Sequence, residues 1–215
     1  MNVLLLHAFP FDERMWEPQR AALSEYEVIA PRLYGRGQTM DAWADSIARE
    51  TEGELALVGA SMGGYCALAL ARRSPERIRG LLLAGSRPDA DSEQRRAGRA
   101  DTIALIRSGG PGALWESMRE KLFADPVDAD KRLLFDDADA LVGAVEAIRD
   151  RGDSTDVARA LGDRVQFVVG EHDPFVSASE LTGFNVTEFS DAGHLVNIGQ
   201  PDDFNRVLRE FLARV

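Results

Sequence analysis

The sequence predicts an α/β protein: a mostly parallel six-stranded sheet covered on both faces by helices and interrupted by one helical insertion. Three observations carry this. Six short β-rich runs recur along the chain, several of them apolar on both faces, as buried parallel strands are. Helical periodicity separates most of them, and strand–helix alternation is the pattern of a sheet with helices on either side. Between the fourth and fifth runs lies a long stretch with no convincing strand.

The six runs are Val3–His7, Glu27–Ala30, Leu55–Gly59, Gly80–Ala84, Val165–Gly170 and Val186–Phe189. Helices are expected over Met15–Ser24, Met40–Glu50, Gly64–Arg73 and Asp202–Arg214, where apolar residues return every three or four positions. Asp41 reads as a start signal and Ser74–Pro75 as a stop. The strandless stretch, Arg87–Gly162, reads as helices over Asp91–Ser108, Gly112–Leu122, Lys131–Asp136, Ala138–Arg151 and Ser154–Leu161, punctuated by Pro111, Pro126 and Gly152. Inserted between two strands of a parallel sheet, it is expected to form a lid. Residues 1–86 and 163–215 then make the core and 87–162 the cap.

The 215 residues match one domain with a full core. A net charge of −11 argues against a nucleic-acid partner, which calls for a basic patch or stripe. The single cysteine, Cys66, permits no internal disulfide and fits a reducing compartment. The apolar start "MNVLLLHAFP" is short, with neither a basic leader nor a cleavage site. No run approaches the ~18 apolar residues of a membrane span. A cytoplasmic protein acting on a small molecule is expected, with monomer and homodimer both open.

The chemistry starts at "LVGASMGGYCALALA", residues 57–71. Gly59-Ala60-Ser61-Met62-Gly63 places a serine where an apolar strand turns into a helix, which is the G-x-S-x-G nucleophile elbow. Glycines two before and two after the serine allow a close backbone approach that a Cβ would block. Met62 offers a backbone N–H at a helix N-terminus, where negative charge is favoured. The competing reading is a glycine-rich turn with a capping serine.

A serine hydroxyl needs a base, and there are three histidines, His7, His172 and His194. His194, in "SDAGHLVNIGQP", follows the sixth run, at the carboxyl edge where open parallel sheets bind ligands. The chain order Ser…Asp/Glu…His favours it over the other two. For the orienting acid, Asp173 in "VVGEHDPF" follows the fifth run, with Glu171 and Asp89 as competitors. The order Ser61…Asp173…His194 favours Asp173.

Together these segments resemble the α/β-hydrolase superfamily, in its small esterase and lactonase-like branch. "LLLHAFPFDERMW" resembles the "HG" oxyanion strand and loop, "YGRGQT" the R-G-x-G-x-S turn, and "GASMGGYCALALARRSPERIRGLLLAGS" the elbow helix and next strand. "VVGEHDPFV" and "DAGHLVNIGQPDDFNRVLREFL" are similar to the acid and histidine segments. The resemblance implies a Ser61–His194–Asp173 triad, with the N–H groups of Met62 and Phe9 as oxyanion donors. Ala8 stands where the family has glycine, which bears on the placement of Phe9. The family usually carries two strands before the oxyanion strand, so the sheet is expected to be a trimmed one of six, with an edge that a partner chain could cover.

The implied reaction is acyl transfer on a small or medium, largely apolar ester or lactone, with neither metal nor organic cofactor. Leu105, Ile106, Leu114, Trp115, Met118, Leu122, Phe123 and Phe135 read mostly as packing of the insertion on the sheet. Phe9, Phe11, Phe175 and Val196 read as apolar surroundings of the catalytic loops. A carbon–carbon-cleaving or otherwise non-hydrolytic member, and a sensor without turnover, stay open on the same residues.

Overall fold

A computed structural model describes residues 1–125 and 131–215; Pro126, read as a breaker, lies outside the described residues. Six strands, β1 (Asn2–Leu6), β2 (Glu27–Ile29), β3 (Leu55–Ala60), β4 (Ile78–Ala84), β5 (Val165–Gly170) and β6 (Asn185–Phe189), form one sheet in the order β2-β1-β3-β4-β5-β6. Every neighbouring pair is parallel.

Alternation along the strands explains the layers, because successive side chains point to opposite faces. Leu4, Leu6, Leu55, Leu57, Leu81, Leu83, Val165 and Phe167 enter one apolar layer. Val3, Leu5, Ala56, Val58, Leu82 and Val168 enter the other. The first layer is closed by α2 (Met40–Glu50), through Trp43 and Ile47, and by α3 (Met62–Arg73). The second is closed by α7 (Pro201–Leu212), through Phe204, Leu208 and Phe211, with Trp16 beside Phe204. A leucine or phenylalanine fully buried in this way contributes about 1.5–3 kcal/mol.

The insertion supplies α4 (Glu93–Leu122), α5 (Ala138–Arg149) and α6 (Thr155–Leu161). The two helices expected over 91–108 and 112–122 are the two arms of α4, broken where Gly110 adopts φ 67° and ψ −170° ahead of Pro111. Apolar residues of this segment join both layers: Ile106, Leu114 and Leu141 one, Trp115, Leu122 and Phe123 the other. No helix among the described residues is long and apolar enough to cross a membrane.

Three local expectations are corrected. The helix over Met15–Ser24 is a 3-10 turn, Glu13–Trp16, followed by a short α1 (Glu17–Ala22) with Pro18 in its first turn. The helix over Lys131–Asp136 is a 3-10 turn at Lys131–Leu133, after which Leu134 bridges Phe11 in an antiparallel pair. The start of α2 is Thr39, whose side chain accepts from the Ala42 N–H at 3.1 Å. Asp41 sits inside the first turn.

The sheet order reverses direction at β1 and β3: the chain runs outward from β1 to β2, then from β3 to β6. Open α/β sheets bind ligands outside the strand ends at such a switch point. Phe9 follows β1 and Ser61 follows β3, so both stand at this crevice.

Candidate active site

The elbow is built from close backbone contact. Ser61 holds φ 49° and ψ −114°, a left-handed conformation that a non-glycine residue keeps only when its surroundings impose it. A Cβ on Gly63 would come within 1.9 Å of the Leu6 carbonyl oxygen, and one on Gly59 within 2.6 Å of the Gly63 backbone. Both glycines of G-x-S-x-G are therefore steric requirements. The Ser61 N–H donates to the Ala84 carbonyl at 2.7 Å, which ties the elbow to β4.

From Ser61 a chain of hydrogen bonds runs inward. The Ser61 hydroxyl lies 2.9 Å from His194 Nε2, and His194 Nδ1 lies 2.8 Å from Asp173 Oδ2. An ionised carboxylate only accepts, so Nδ1 carries the proton and Nε2 is left as acceptor for the serine. The other Asp173 oxygen accepts from the N–H groups of Phe175 at 2.8 Å and Val176 at 3.3 Å, which fixes the plane of the carboxylate. The His194 and Asp173 side chains are 4% and 0% exposed, so neither is free to reorient into water. Phe175 packs edge-on against the imidazole, with ring centres 4.7 Å apart.

The competing residues are occupied elsewhere. Asp89 pairs with Arg87 at 2.7 Å and also binds Arg95. Glu171 is exposed and accepts from the Asp191 N–H at 3.1 Å. His172 is exposed, 3.8 Å from Asp191. Ligand atoms of Glu171, His172 and Asp191 lie within 4.8 Å of one another at the surface. His172 and Asp191 line a separate hollow that shares no residue with the Ser61 cavity.

His7 is wholly buried: its Nε2 accepts from the Leu33 N–H at 2.9 Å, and Nδ1 lies 3.2 Å from the Ala8 carbonyl. Burial lowers its pKa from 6.5 to about 4, because desolvation disfavours the charged ring. The unfolded chain binds a proton as pH falls through 6.5, whereas the folded chain does not until about 4. Its contribution is therefore complete above pH 6.5 and is lost as pH falls toward 4, amounting to about 3 kcal/mol. Urea midpoints followed from about pH 7.5 to about pH 4.5 should fall less steeply for His7→Gln than for the wild type. Parallel slopes would remove His7 as their source.

Of the two expected N–H donors, Met62 follows Ser61 in the chain and Phe9 shares its cavity. Met62 is the first residue of α3, so its N–H has no acceptor within the helix. The Phe9 N–H has no acceptor among the described residues. The preceding Ala8 N–H is occupied by Met15 Sδ at 3.1 Å, which fixes the loop despite the alanine in the glycine position.

Ser61 and His194 open on a small cavity of about 40 Å³, lined also by Phe9, Tyr65, Arg99, Met118, Ile148 and Phe175. Phe9 and Phe175 lie on this cavity, whereas Phe11 and Val196 are fully buried in the second apolar layer. Of the apolar residues singled out in the insertion, only Met118 lines it.

Two contributors escape a reading of motifs. Gly85, at φ 56°, follows β4 and lies against the imidazole: a Cβ there would meet His194 Nδ1 and Cε1 at 2.9 Å. Ser86, fully buried, lies 2.9 Å from the Ser61 carbonyl and 3.0 Å from that of Ala84. A glycine placed immediately after a strand, in "LLLAGS", was the available signal.

The model of the alpha/beta hydrolase family matches residues 3–207. A thermophilic esterase from Thermogutta terrifontis, solved with malate bound, superposes with a TM-score of 0.88 at 31% identity, covering 100% of this chain and 90% of that one. The enol-lactonase from Burkholderia xenovorans shares the fold, with a TM-score of 0.83 at 24% identity over 99% of this chain and 91% of its own. The pimeloyl-[acyl-carrier protein] methyl ester esterase of Aromatoleum aromaticum is 26% identical over 94% of this chain and 94% of its length.

Proposed function

The chain belongs to the alpha/beta hydrolase family, and from that premise we propose that it hydrolyses a small or medium carboxylic ester or lactone, with Ser61 as nucleophile, His194 as base and Asp173 as orienting acid. The observation that carries the proposal is the unbroken hydrogen-bond chain from Asp173 through His194 to Ser61, ending at a cavity. The 31% identical esterase, which this chain covers over 90% of its length, supports ester bonds as the target.

In the reaction, His194 Nε2 takes the hydroxyl proton as Ser61 Oγ bonds to the carbonyl carbon. The developing oxyanion is held by the N–H groups of Met62 and Phe9, the former reinforced by the N-terminal end of α3. Collapse expels the alcohol, which takes its proton from His194. Water, deprotonated by the same nitrogen, then releases the acid and restores Ser61. Asp173 keeps the proton of His194 on Nδ1 and stabilises the imidazolium formed in each step. The segment Arg87–Gly162 serves as a lid, setting what reaches Ser61 through Arg99, Met118 and Ile148.

A fluorophosphonate probe together with a short p-nitrophenyl ester tests the reading. One equivalent of label on Ser61, with turnover of the ester, is the expected result. Labelling without turnover of any ester, lactone or thioester would remove hydrolysis and leave a non-hydrolytic member of the family.

A further inference from the structure

The cavity beside Ser61 is walled by Phe9, Tyr65, Met118, Ile148 and Phe175, yet it also holds a cation, Arg99. Apart from His194, no other ionisable charge lines it among the described residues. An arginine on such a wall is costly unless it is paired, and the pairing of Arg99 is incomplete. Its Nε donates to Asp91 Oδ2 at 3.0 Å. No acceptor for its Nη1 or Nη2 is found among the described residues.

Asp91 does not neutralise it. The Asp91 side chain is 0% exposed and is shared by three guanidiniums: Arg151 at 2.7 Å, Arg99 at 3.0 Å and Arg95 at 3.4 Å. Arg95 has a second carboxylate in Asp89. Arg151 is spread over the Tyr65 ring, 3.9 Å from its centre. Of these arginines it is Arg99 that lines the cavity, with both Nη groups open, so a chain of net charge −11 presents a positive group inside its candidate active site. Because Nε is anchored on a buried carboxylate, the guanidinium is held in place before a ligand arrives, and the two Nη groups form the fork that a second carboxylate accepts from in bidentate fashion.

Resting on the ester-hydrolase reading, we infer that the substrate carries a carboxylate of its own, remote from the scissile bond, as in a half-ester of a short dicarboxylic acid, and that Arg99 receives it. Arg99 is then a specificity-determining residue. The charged substrate is preferred because its carboxylate completes an ion pair that water must otherwise supply, and the apolar walls around it strengthen that pair.

The test compares the monomethyl esters of succinate, glutarate and adipate with uncharged isosteres in which isopropyl replaces the carboxylate. kcat and KM are measured for wild type, Arg99→Gln and Arg99→Lys. The best half-ester should exceed its isostere in kcat/KM by about tenfold or more in the wild type, mainly through KM. That ratio should fall to near one in Arg99→Gln and be partly kept in Arg99→Lys. If Arg99 merely held Asp91, its loss would lower both esters alike and leave the ratio unmoved. A wild-type ratio of one or less, or an unchanged ratio in Arg99→Gln, overturns the inference while ester hydrolysis stands. Absence of turnover on every ester, with no labelling of Ser61, overturns the hydrolase reading and the inference with it.

Discussion

Replacing Ser61 or His194 by alanine should lower ester turnover by about 10⁴- to 10⁶-fold while the fold persists. The size of the effect follows from how the two residues act. Without His194 the serine proton has nowhere to go, and without Ser61 there is no bond-forming atom. Each loss thus disables the same step, and the Ser61→Ala/His194→Ala double variant should be little worse than either single one. Neither side chain holds the sheet together: Ser61 contributes to the elbow through its backbone, with its N–H on Ala84 and its carbonyl accepting from Gly64 at 2.9 Å. Circular dichroism and thermal midpoints should therefore change little. Turnover by Ser61→Ala within tenfold of the wild type would end the assignment.

The second large effect is expected at Asp173. In Asp173→Asn the amide oxygen can still accept from Phe175 and Val176, so the loop keeps its shape. The amide nitrogen then donates toward His194 Nδ1, which forces the ring proton onto Nε2, facing Ser61. That tautomer cannot take the serine proton, and a loss of about 10⁴-fold is expected. Asp89→Asn and Glu171→Gln should stay within a few-fold of the wild type, since Asp89 is engaged by Arg87 and Arg95 and Glu171 by the Asp191 backbone. The three variants are compared on one ester at one pH. If Asp89→Asn is the crippled one, the acid belongs to the loop after β4 and not to the loop after β5.

How much of this was legible in the sequence depends on the range over which each residue is determined. Val165–Gly170 has the same bounds in the sequence reading and in the structure, because a strand buried on both faces is written as a nearly continuous apolar run, here interrupted only by Gln166. The elbow is equally local: the two glycines and the serine that need one another lie within five residues. Lys131–Asp136 misled because its apolar residues answer to distant partners. Phe135 stacks on Tyr34 at 4.3 Å and Leu134 pairs with Phe11, and such contacts override a weak helical pattern. Arg99 was illegible for a similar reason. In "EQRRAGRADT" it reads as one charge among several on a solvated helix, and only the fold distinguishes it by bringing α4 over Ser61. The sequence reading of a largely apolar cavity omitted that cation.

The paired residues Gly85 and Ser86 carry a mechanical consequence. One lies against the His194 imidazole and the other donates to the Ser61 carbonyl, and they are adjacent in the chain just after the buried central strand β4. His194 and Ser61 thus both rest against the two residues that follow β4. A larger side chain at either position is expected to disturb Ser61 and His194 together.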